Sequence, residues 1–285
     1  MRLLCTICFY FFSSNLNASS LPSSWPFTSG ETLHYRLSYQ GLLTSFVWAD
    51  LADVKLSFLA QTKLLDTLLN EKKTGHKFIV NVNTEHYLKA ELIQPVRYSY
   101  TTTTDMFLEK TLLVEKIDLG RANRHEFLWL DWQAKETHLF EVNESASPAQ
   151  NQKIPKYFNN MQLSDSQRIQ LVYKESGDKI SHENILDPLS LIYYLRTQDN
   201  IEESEKFIAV SDDIRKYKIK FMGKETLKLN ARKYQSKKYK IQTHENKDKF
   251  YYIWLSDDKK KIPLRFAMDA PLGHLSIDIV DNEPD

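Results

Sequence analysis

The stretch Glu31-Thr32-Leu33-His34-Tyr35-Arg36-Leu37-Ser38-Tyr39 sets the reading of the whole chain. Leu33, Tyr35, Leu37 and Tyr39 are apolar or aromatic, while His34, Arg36 and Ser38 between them are polar. A period of two sends alternate side chains to opposite faces of an extended backbone, so this is a strand with one buried face. Val54, Leu56 and Phe58 repeat the pattern, and runs at Phe78 to Val82, Val96 to Thr102, Thr111 to Ile117 and Phe127 to Trp132 continue it between polar breaks. In the second half Tyr217, Ile219 and Phe221 alternate with Lys216, Lys218 and Lys220, and Tyr239 and Ile241 alternate with Lys238 and Lys240. Phe250 to Leu255, Ile262 to Met268, and Leu275 with Ile277 and Ile279 supply the closing strands. Met222-Gly223-Lys224-Glu225, Ser256-Asp257-Asp258 and Pro271-Leu272-Gly273 read as turns.

Helical spacing is confined to two places. Leu64, Leu65, Leu68 and Leu69 before Lys72-Lys73-Thr74-Gly75 predict one short helix. Asp187-Pro188 predicts the start of another, because Asp accepts hydrogen bonds from the free amides of a first turn and Pro suits the first helical position. Leu189, Ile192, Tyr193 and Leu195 form its body, and Arg196 sits in the last turn, where a cation meets the partial negative charge of the helix end. Roughly ten to twelve strands against one or two short helices predict a mainly β fold. The expected architecture is an antiparallel, strongly curved sheet forming a barrel or half-barrel.

The 285 residues include 42% hydrophobic and 26% charged residues with only 7 Gly and 9 Pro, which excludes disorder and low-complexity arrays. Gly30 and Gly41, the closest pair of glycines, stand eleven positions apart, so neither G-x-G-x-x-G nor G-x-x-x-x-G-K-[ST] can occur. At the N-terminus, Met1-Arg2, the apolar run Leu3 to Phe12 and the polar, small-residue stretch Ser13 to Ser20 have the pattern of a secretory signal peptide. A ten-residue run interrupted only by Thr6 is half the length of a spanning helix, so cleavage after Ala18 is expected to leave no transmembrane anchor. Cys5 and Cys8 both lie in that segment, which makes the expected mature chain cysteine-free and dependent on a packed core. Residues 19–285 read as a single β-rich domain, with 143–156 as a loop or linker.

Recognisable catalytic motifs are scarce in the sequence. The eight histidines include no i, i+4 pair, and no Gly-x-Ser-x-Gly occurs, so no metal site, cofactor or catalytic residue is assigned. Asp257-Asp258 reads as a turn in which Asp bonds its own backbone, and Glu31 and Glu225 as strand-end or turn residues beside glycines. Charge is distributed unevenly. Residues 213–265 carry 17 Lys plus Arg against 6 Asp plus Glu, although the whole chain has 38 against 37. Lys216, Lys218, Lys220, Lys238 and Lys240 lie opposite Tyr217, Phe221 and Tyr239, so pairing of these strands would set a cationic outer surface over an apolar inner one. Such a surface attracts anionic lipid head groups or acidic envelope polysaccharide, or serves as a solvated face guarding against edge-to-edge association. The near-neutral total removes any bulk-charge argument for nucleic acid.

Phe27, Gly30-Glu31, the Leu33/Tyr35/Leu37/Tyr39 strand and Gly41 resemble the opening of the bacterial family called domain of unknown function 3108. Asp187-Pro188-Leu189-Ser190 with Tyr194-Leu195-Arg196 is similar to its central helix. Tyr217 to Gly223-Lys224-Glu225, Trp254-Leu255-Ser256-Asp257-Asp258, Pro263-Leu264-Arg265-Phe266 and Pro271-Leu272-Gly273 resemble its closing strands. The resemblance implies an exported envelope protein and carries no activity to transfer. The leading expectation is a non-enzymatic periplasmic protein whose partner is a lipid or other amphipathic envelope molecule. A protein-interaction module in envelope assembly and an enzyme acting on cell-wall or lipopolysaccharide material are the alternatives. A continuous apolar cavity favours the first, a filled core with an exposed apolar patch the second, and buried carboxylates or histidines converging in a cleft the third.

Overall fold

The structure is a computed structural model and describes residues 25–41, 47–63, 74–93, 95–120, 123–142, 171–210, 213–245, 250–270 and 273–280. The segments expected to form the signal peptide, the 64–69 helix and the 143–156 loop lie outside the described residues. The N-terminal half supplies β1 (Thr32–Gly41), β2 (Val47–Lys63), β3 (Thr74–Asn83), α1 (Leu88–Ile93), β4 (Arg97–Thr104), β5 (Thr111–Asp118), β6 (Arg124–Asp131), β7 (Glu136–Val142) and β8 (Leu171–Lys179). Next come β9 (Ile185–Leu186), α2 (Pro188–Thr197), β10 (Glu203–Val210), β11 (Asp213–Leu229), β12 (Arg232–Thr243), β13 (Phe250–Ser256), β14 (Pro263–Ala270) and β15 (Gly273–Ile279).

All fifteen strands belong to one sheet, in the order β8-β7-β6-β5-β4-β3-β2-β1-β15-β14-β13-β12-β11-β10-β9. The opening strand therefore sits in the middle, with β2 on one side and β15 on the other, and each half of the chain extends the sheet outward. Pairing is antiparallel throughout except between β9 and β10. The inward set of β1 is the one its alternation marks: Leu33 and Tyr35 are buried, opposite Leu56 and Val54 of β2. The sheet is mainly β and not closed, as a half-barrel requires.

Its two ends overlap. β9 and β10 are tucked under β5 and β6, where Val114, Leu128 and Leu130 pack with Ile185 and Ala209, and Phe207 and Ile214 join the same cluster. On β10 the side chains of Phe207 and Ala209 face this lap while Ile208 faces the concave interior with Leu191 and Tyr217. An unpaired edge strand exposes a row of backbone donors and acceptors. Here the Asp178 carboxylate accepts from the Ile214 amide at 2.8 Å and a bridge joins Lys110 to Ile185, so the lap covers part of that edge.

Two sequence readings are corrected. Met222-Gly223-Lys224-Glu225 is a bulge inside the long strand β11, with the β11–β12 register slipping between Phe221 and Gly223 and Gly223 at φ 122°. Glycine marks either a hairpin turn or a bulge, because both need a left-handed backbone. The strands also outnumber the expected ten to twelve. Charged residues interrupt β7 and β10, and in β10 the lap buries both Ile208 and Ala209, which erases the clean alternation that flags a half-buried strand.

Candidate functional site

The site is the concave interior of the rolled sheet, and α2 forms its floor. Antiparallel neighbours alternate in direction, so the starts of β1, β5 and β14 lie at one end of the sheet with the ends of β4 and β13. α2 spans that end. Its first turn begins at Asp187, whose Oδ1 accepts from the Leu189 and Ser190 amides at 2.9 and 3.3 Å, while Ser190 Oγ accepts from the Asp187 amide at 2.9 Å. This reciprocal pair satisfies donors that a helix start leaves free. The other carboxylate oxygen of Asp187 accepts from Thr102 Oγ1 at 2.7 Å and Thr111 Oγ1 at 3.0 Å, which fixes the helix start to β4 and β5.

The far end of α2 is fixed by Arg196, which is 0% exposed. Its guanidinium donates to both carboxylate oxygens of Glu31 at 2.5 and 2.9 Å, and to the Pro26 and Lys260 carbonyls at 3.2 and 3.1 Å. It also lies over the rings of Phe27 and Tyr193. A planar, always charged fork suits this bidentate and stacked site. Arg196 is therefore more than a last-turn cation, and Glu31, placed just before β1 as expected, is its counter-ion. Between these two anchors Tyr193 packs against Phe78 at a centroid distance of 4.2 Å, and Leu191 and Leu195 pack against β10 to β13.

Above the floor the interior holds two cavities, of about 370 and 410 Å³. Both volumes are in the range of ligand sites of ~300–1,000 Å³. The first is bounded by β10 to β15, with Leu191, Ile208, Ile241, Met268 and Leu275 among its walls. The second is bounded by β1 to β4, with Leu56, Val80, Tyr98, Tyr100 and Leu189 among its walls. Val210, at the last position of β10, and Tyr251, the second residue of β13 and 40% exposed, carry the first cavity to the end of the sheet opposite α2.

Among the described residues, no charged side chain lines either cavity. Burial pushes the Tyr98 hydroxyl up to about 12 and raises Tyr35, Tyr100 and Tyr217 above their ordinary value. The buried Asp187 and the partly buried Glu31 are both consumed in fixing α2, and no group of three or more His, Cys, Asp or Glu able to hold a metal ion occurs among the described residues. The described lining residues are predominantly apolar side chains.

The five lysines sit on the convex face, where β10, β11, β12 and β13 pair as neighbours. Lys220 and Lys240 are directly opposite one another. Lys216 pairs with Glu205 at 2.5 Å and Lys218 with Glu203 at 2.6 Å. Lys238 lies over Tyr252 and Trp254, and Lys240 over Phe250. The turn aspartates behave as expected, since Asp258 accepts from the Lys260 and Lys261 amides, while Asp257 pairs with Lys224 at 2.6 Å. Glu225 accepts from Trp254 Nε1 across the sheet, a contact that its neighbourhood in the sequence does not announce. The cavities were legible only as a possibility, because inward Leu, Ile and Tyr look the same whether they fill a core or line a space.

Comparison with known proteins places these features in a family. The family model described as "Protein of unknown function (DUF3108)" matches residues 34–280, most of the chain. Comparison with curated proteins finds no match. Among solved structures, the chain is similar to the beta-barrel-like protein of domain of unknown function DUF1849 from Brucella abortus. That match has 10% identity and a TM-score of 0.42, and covers 88% of this chain and 98% of the other. The chain is also similar to a "putative lipoprotein from Parabacteroides distasonis ATCC 8503", with 6% identity and a TM-score of 0.30, over 90% of this chain and 95% of the other.

Proposed function

From the premise that the chain belongs to the DUF3108 family, whose function is unknown, we propose that it is an exported, non-enzymatic protein of the cell envelope that holds an apolar or amphipathic molecule in the concavity above α2. The observation that carries this reading is the pair of predominantly apolar cavities of about 370 and 410 Å³ over a helix anchored at both ends. A floor held by a buried carboxylate and a buried ion pair supports a preformed site, in which little ordering cost accompanies binding. Export is supported by the Met1 to Ser20 pattern, with cleavage after Ala18 leaving residues 19–285 as one domain.

The test is native purification of the secreted chain, organic extraction and mass spectrometry of the extract, followed by titration with a fluorescent fatty acid. The expected result is a copurifying lipid-like molecule and saturable binding of the fatty acid. A lipid-free extract together with no saturable binding would overturn the proposal.

The convex lysines take a secondary part in the same reading. Lys216 and Lys218 already have carboxylate partners, so attraction to an anionic envelope surface falls mainly to Lys220, Lys238 and Lys240. Screening confines it to about 8–10 Å at moderate salt. Changing Lys220, Lys238 and Lys240 to Gln is expected to reduce sedimentation with anionic vesicles, whereas changing Lys216 and Lys218 should reduce it less. Equal sedimentation of all variants would remove the convex face from the account. A second reading, an interaction module, is favoured by one feature: Leu88 and Leu92 of α1 are 73% and 79% exposed.

A further inference from the structure

The two cavities are lobes of the concave interior that lie on either side of a shared wall. Four residues line both: Pro188 and Ile192 from the floor, and Phe266 and Ile277 from the facing wall. Phe266 is central to this division, since it packs with the cluster around Tyr35 and Phe58 and also with the cluster around Ile241 and Ile253. Its ring lies 5.7 Å from that of Tyr35, and Ile277 stands opposite it on β15. The lobes have nearly equal volumes, share the same floor and, among the described residues, are lined by no charged side chain. One apolar chain would have to bend around Phe266 to fill both. Two chains joined at one end could fill them side by side.

We infer that the ligand has two apolar chains joined at a polar group, one chain in each lobe astride the Ile192–Phe266 partition, as in a diacyl phospholipid. This rests on the apolar-ligand reading above. The joining group would lie away from α2, where Tyr217 and the Arg215 guanidinium share one side of β11. Arg215 is bound there by Asp213 at 2.5 Å, so recognition of the polar group is secondary to the chains. Apolar burial supplies the affinity.

Stoichiometry separates the possibilities. The delipidated full-length mature protein is titrated with palmitate and, separately, with a diacyl phosphatidylglycerol below its aggregation threshold, and the complexes are counted by native mass spectrometry. Two palmitates per chain are expected, or one phospholipid that displaces both. Met268→Trp, which fills the first lobe, and Val80→Trp, which fills the second, should each leave one palmitate and weaken the phospholipid at least tenfold. The wild-type count decides the question even if a Trp variant fails to fold. One palmitate per chain, or a phospholipid that leaves palmitate bound, would overturn the two-chain inference while sparing the apolar-ligand reading. Binding of neither probe would overturn both.

Discussion

Arg196→Met is expected to lower folding stability by about 3–5 kcal/mol, the largest effect of any single substitution argued from this structure. The guanidinium is 0% exposed and the Glu31 side chain 16% exposed, so water is poorly placed to replace the lost partner. Methionine approximates the stem but leaves the Glu31 carboxylate without its counter-charge and the Pro26 and Lys260 carbonyls without a donor. Burying an unpaired charge is costlier than burying a matched pair, and removing both members can approach neutrality where apolar groups pack well. The double change Glu31→Leu with Arg196→Met should therefore regain part of the loss. Urea unfolding of the wild type and the two variants checks this. If Arg196→Met were as stable as the wild type, the guanidinium would not be holding the floor.

Asp187→Ala is expected to cost about 2–4 kcal/mol, combining loss of a helix cap, ~0.5–2 kcal/mol, with buried hydroxyls left unpaired, ~1–3 kcal/mol. Thr102 and Thr111 are both 0% exposed and both donate to the carboxylate. Asp187→Asn keeps an acceptor for the Leu189 amide and should cost less than half as much. The same titration that measures stability also tests the floor's role in binding. Both variants of the α2 anchors should release a bound fluorescent fatty acid at lower urea than the wild type.

These two anchors show what a single sequence does and does not carry. Asp187-Pro188 is a local signal, because a cap bonds amides two and three residues on, and the helix starts where that chemistry puts it. Arg196 and Glu31 are 165 positions apart, and neither residue's neighbours indicate the other. The strand alternation of β1 was legible for the same local reason, as was the apolar inward face of β11 and β12. Gly223 was not, since the choice between turn and bulge depends on the register of β12 across from it. β10 was hidden by the lap, which buries both of its faces at Ile208 and Ala209. The partition at Phe266 depends on where β14 comes to rest against a helix about seventy residues earlier in the chain, a tertiary fact with no periodic trace.

The concave interior can be located directly. Crystals of the mature protein grown with a terminally brominated fatty acid should give anomalous bromine peaks inside the roll, between α2 and β12 to β15 or between α2 and β1 to β4. Peaks confined to the convex surface, or none at saturating ligand, would contradict the account.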